Sequence, residues 1–153
     1  MCKLILGFFT FFVLGIANAQ TAIEPISNVV ARIKNANDTS EIGYIGMRCG
    51  SLYGSIAAYF EVNGNASDAQ TIRELNRQGD AFKKVGITLN LGANKMSSDA
   101  ITKQANAFIT FYTKTMSEGK RLNNNAFTPF IQADLASCKI EADGFSQLAA
   151  KIK

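Results

Sequence analysis

Apolar positions along most of the chain recur in alternating steps of three and four, the spacing that lays one stripe along a helix. Pro25 suits a first helical position, where its missing N–H would have had no partner. Ile26, Val29, Val30 and Ile33 then form a face. The polar run Asn35-Ala36-Asn37-Asp38-Thr39-Ser40 reads as a loop. The stripe resumes at Ile42, Ile45, Cys49, Leu52, Ile56 and Tyr59, and Asn63-Gly64-Asn65 ends it. Ser67 or Asp68 can cap a third segment carrying Ile72, Leu75, Gly79, Phe82, Gly86, Leu89, Ala93 and Met96. Ser97, Ser98 and Asp99 offer another cap, before Ile101, Ala105, Phe108, Tyr112 and Thr115, with Ile109 and Met116 widening the stripe. After Asn123-Asn124-Asn125, Thr128-Pro129 opens a helix with Ile131, Leu135 and Cys138 that runs to about Ile140. A short last helix carries Phe145, Leu148, Ala149 and Ile152.

One segment disagrees. Val85, Ile87, Leu89 and Leu91 alternate with Gly86, Thr88 and Asn90, which is strand periodicity. No second segment offers a partner, and a lone strand leaves its backbone groups unpaired. The expectation is a helix weakened or bent around Gly86 and Gly92. There is no Pro- or Gly-rich linker, internal repeat or low-complexity tract. Together these patterns predict an all-α, single-domain bundle of five or six helices over residues 20–153, with antiparallel neighbours joined by short polar connections.

The first 19 residues follow another rule. Lys3 precedes an apolar run from Leu4 to Ile16, and Ala17-Asn18-Ala19 places small residues at the −3 and −1 positions of a cut before Gln20. This is the pattern of a cleaved secretory leader. The run is shorter than the ~20 residues of a membrane-spanning helix. Gln20, rather than Cys, follows the small residues, so a lipid anchor of the lipoprotein type is not expected. The chain is thus read as exported, to a periplasm or an extracellular space.

Export changes the meaning of composition. Loss of Lys3 takes the 16 basic residues to 15 against 12 acidic ones, with no block of consecutive basic residues. A nucleic-acid partner would call for a basic stripe, and none is expected. Cys2 leaves with the leader, so Cys49 and Cys138 remain. Two cysteines in an oxidising compartment point to a disulfide. Two thiolates with no His and no third nearby Cys would leave zinc under-coordinated, so no metal is expected.

The candidate ligand contacts lie on the second helix. Gly46, Gly50 and Gly54 are spaced by four with Gly43 a turn earlier, a row that lets another helix, or a ligand, approach the backbone. Arg48 sits among them, with Tyr44 and Ser51 at i−4 and i+3 on its side. It could receive an anion in a pocket. It could equally pack its stem and reach solvent or Glu41. Arg48 also makes Ile42 to Val62 a poor membrane helix, since a central Arg costs about 2.5–3.5 kcal/mol on insertion scales.

Catalytic signals are sparse. With no His and no G-x-S-x-G turn there is no base–nucleophile set, and no acid lies in an apolar run that would perturb it. No calcium loop occurs, and Gly119-Lys120 lacks the glycine and hydroxyl residue of a phosphate loop, so no cofactor is expected. The sequence therefore points to a small exported helical binding or interaction protein without catalytic residues, its partner a protein or a small ligand. Two alternatives remain: a periplasmic hydrolase or lyase using carboxylate, Lys or Tyr chemistry, and a membrane-associated helical protein.

Overall fold

The helix from Thr39 to Asn63 (α2) packs against every other helix. Its buried positions, among them Ile45, Met47, Cys49, Leu52, Tyr53 and Ile56, go round the helix rather than down one side. A helix apolar on all sides belongs in the middle of a fold. The computed structural model describes residues 23–151 except 34 and 36. The expected leader and Ile152 lie outside the described residues. Around α2 stand α1 (Ile26–Val30), α3 (Ala69–Leu91, entered through a 3-10 turn at Ala66–Asp68), α4 (Ser98–Asn123) and α5 (Pro129–Lys151). The fold is a single all-α domain, and no strand occurs among the described residues.

Backbone contact couples α2 to α3. The two run antiparallel, and a Cβ on Gly46 would lie 2.8 Å from the Gly86 Cα. One on Gly50 would lie 2.9 Å from the Gly79 carbonyl. The glycine row thus faces a neighbouring helix of the same domain. α3 runs unbroken through Gly86 to Leu91, and the Gly92 N–H closes it on the Thr88 carbonyl. The strand-like alternation arises from surface residues: Val85 is buried, but Ile87 and Leu91 are 39% and 45% exposed. Ala93 and Met96 belong to the connection, not to the helix.

Two of the expected ends need correction. The cap expected at Ser67 or Asp68 sits one turn earlier, at Asn65 on the 3-10 turn, and Asp68 makes no side-chain cap of α3. Asn65 and Asp68 form a reciprocal capping box, and Ser97 Oγ accepts the Ala100 N–H at 3.2 Å. Asn124 takes a left-handed conformation to end α4. The two C-terminal helices of the sequence reading, however, are one: α5 continues through Gly144, so five helices occur among the described residues. A single glycine costs only about 1 kcal/mol, too little to divide a helix anchored at Ile131, Cys138 and Phe145.

Cys49 and Cys138 are bonded and fully buried, fixing α2 to α5. Phe82 joins three helices, 5.7 Å from Tyr53 and 4.6 Å from Phe145. Phe127 packs with Tyr59 and Phe60 of α2. Phe130 turns instead to Phe111 of α4.

Candidate functional site

Two places gather chemistry. The first is closed. Arg48 and Asp134, both with 0% of the side chain exposed, form an ion pair from Nη2 to Oδ2. Arg48 Nε donates to Tyr112 Oη at 3.0 Å, and Nη1 donates to the Glu24 carbonyl and to Tyr44 Oη at 3.4 Å. Tyr112 Oη donates to Asp134 Oδ2 at 2.7 Å, while the Ile26 N–H donates to Oδ1 at 2.8 Å. The rings of Tyr44, Tyr112 and Phe130 lie 5.7–5.9 Å from the guanidinium carbon.

A buried charge is tolerable when it is paired and hydrogen-bonded, and this one is both. Burial pulls the Arg48 pKa down, but the surrounding Tyr112, Asp134 and Tyr44 outweigh it and leave it above its ordinary value. Burial pushes the Tyr112 phenol well above its ordinary range. Arg48 and Asp134 satisfy each other and draw in the start of α1, so the centre ties α1, α2, α4 and α5 together.

This differs from the sequence expectations in two ways. Tyr44 does reach Arg48, but the Ser51 hydroxyl is buried with no hydrogen-bond partner. The carboxylate that holds Arg48 is Asp134; Glu41 lies 3.5 Å from Arg32 instead. An acid on an apolar stripe does exist, contrary to expectation. Asp134 falls three residues after Ile131 and four before Cys138, in step with both buried residues. That spacing was the available signal.

The second place is open. α2 and α4 run in the same direction, and between their C-terminal halves lies a groove of about 430 Å³. Its apolar lining comes from Ala58, Tyr59 and Val62 of α2 and Met116 of α4. Small Ala58 and the short Thr113 and Ser117 leave space that longer side chains would fill. Val62 is 83% exposed, far above the other large apolar residues lining it. Lys120, Arg121 and Asn63 complete the rim. Lys120 Nζ donates to Asn124 Oδ1 at 2.8 Å. Neither Lys120 nor Arg121 is paired with a carboxylate among the described residues, and no carboxylate lines the groove. One turn before Tyr59, the buried Ser55 hydroxyl has no hydrogen-bond partner.

Sequence reasoning missed this groove because Lys120 and Arg121 look like ordinary last-turn cations complementing a helix dipole. Among the described residues, no cluster of three metal-binding side chains occurs. No known family, curated protein or solved structure matches the chain.

Proposed function

We propose that this chain is an exported, non-enzymatic binding protein whose site is the groove between α2 and α4. The observation that carries the reading is the contrast between the two polar places. Inside, Arg48, Tyr112 and Asp134 answer each other. At the groove, an exposed apolar wall meets two cations without carboxylate partners. Small-molecule sites commonly have this make-up, a mostly apolar cleft with a few placed polar groups. The leader pattern of residues 1–19 supports export, and so does a buried disulfide of the kind that persists in oxidising compartments.

The chain has no Trp, so Val62→Trp places a unique fluorophore on the groove wall at a position that solvent already surrounds. Titration with the uncharged fluorophore N-phenyl-naphthylamine should give saturable energy transfer from that Trp, with one site per chain. Adding Ala58→Phe should abolish it while helicity and melting temperature stay put. Binding that never saturates, or that survives the blocked groove, would reject the reading.

A further inference from the structure

We propose that the groove takes a single-chain amphiphile with a carboxylate head, a ligand of the medium-chain fatty-acid class; this rests on the groove being the binding site. The walls define the body of the ligand. Ala58, Tyr59 and Val62 offer apolar surface above a floor formed by the buried Met116, and Val62 stands 83% exposed until something covers it. A volume of about 430 Å³ lies low in the range of small-molecule sites. It suits one alkyl chain rather than a two-tailed lipid.

The rim defines the head. Lys120 and Arg121 both line the groove, with no carboxylate in the lining to repel an anion. Hydrogen bonds from cationic donors to a carboxylate are shorter and stronger than neutral ones. Arg121 can grip both oxygens with its planar fork, while Lys120 exchanges a neutral amide oxygen for a charged one. An alcohol of the same chain length fills the same apolar space and gains none of this. The difference between the two ligands therefore isolates the head.

The test is competition for the bound N-phenyl-naphthylamine in the Val62→Trp protein, with decanoate and decanol kept below their aggregation limits. Decanoate should displace the probe at a concentration at least tenfold lower than decanol. Lys120→Gln with Arg121→Gln should remove that advantage and leave decanol unchanged, which loss of folding would not do. Equal displacement by acid and alcohol would overturn the carboxylate assignment while the groove remains a binding site. Failure of the uncharged probe itself would overturn the groove reading as well. Two further results would overturn the amphiphile: Trp emission already blue-shifted in a ligand-free dimer, or a shift produced by phosphatidylglycerol vesicles and not by monomeric decanoate.

Discussion

Asp134 is the residue on which the interior depends, because it compensates a guanidinium that water cannot reach. Removing one partner of a buried pair leaves the other uncompensated, at a cost of about 3–5 kcal/mol. Asp134→Ala should therefore lower the urea midpoint strongly. Replacing both partners, Arg48→Met with Asp134→Leu, should destabilise less than the single change, since no bare charge is left behind. A double variant as weak as the single one would contradict the pairing argument. Tyr112 makes a second prediction. Burial raises its folded pKa above the unfolded value near 10, so its contribution is complete below about pH 10 and is lost as pH rises beyond that. The melting temperature should fall above pH 10, and Tyr112→Phe should flatten that limb. Some slope should survive, because burial also raises Tyr53. At neutral pH the same variant should be less stable by about 1–3 kcal/mol, since Arg48 Nε loses its acceptor. At this scale the sequence singled out Arg48 and Tyr44. Tyr112 went unread because it sits in step with apolar neighbours and counts there as core, and Asp134 because the stripe Ile131, Leu135, Cys138 passes beside it.

Helices α2 and α3 meet backbone to backbone, and that contact distinguishes glycines that look alike in the sequence. Gly46→Ala would press a methyl against the Gly86 backbone, 2.8 Å away. Neither helix can yield without parting from the other, so a loss of about 1–3 kcal/mol is expected from overpacking. Gly144→Ala meets nothing within 4 Å and lies inside α5. It should stabilise by about 0.5–1 kcal/mol through helix propensity. Urea unfolding of the two variants should show shifts of opposite sign. The disulfide joins elements far apart in the chain, with a sequence separation of 89. Chain entropy sets about 4.5 kcal/mol as an upper figure for such a loop. Cys49→Ser with Cys138→Ser should lower the melting temperature clearly, and reductant should then have no further effect. Helix type, the Ser97 cap and this pairing were legible because each is written in local spacing or in the cysteine count. The strand-like stretch at 85–91 still reads as helix for want of a partner strand, and α3 bears that out, without the expected weakening at Gly86. The apparent stop before Phe145 does mislead, because a lone Gly144 imitates a helix end in one dimension.

Function belongs to the whole molecule, because the groove exists only when residues 58–63 and 113–121 come together. Neither segment announces it alone, and the parallel course of α2 and α4 is set by the α3 that lies between them in sequence. The closed Arg48 centre and the open groove also divide the labour of the fold. One holds four helices in place, and the other leaves an apolar wall beside two cations. Export completes the proposal. Intact mass of the protein recovered from outside the cytoplasm should correspond to a chain beginning at Gln20, with one disulfide. A retained leader would remove the basis for placing it there.

The most direct test uses the unaltered protein and its own methionines. Met116, only 2% exposed, forms the floor of the groove, whereas the equally buried Met47 (1%) lies outside its lining and Met96 belongs to the α3–α4 connection. In a methyl-resolved NMR titration with decanoate, the Met116 ε-methyl should move saturably with one site per chain, while Met47 and Met96 hold their positions. A Met116 signal that stays fixed throughout, or moves only together with Met47 and Met96, would contradict the groove as the binding site.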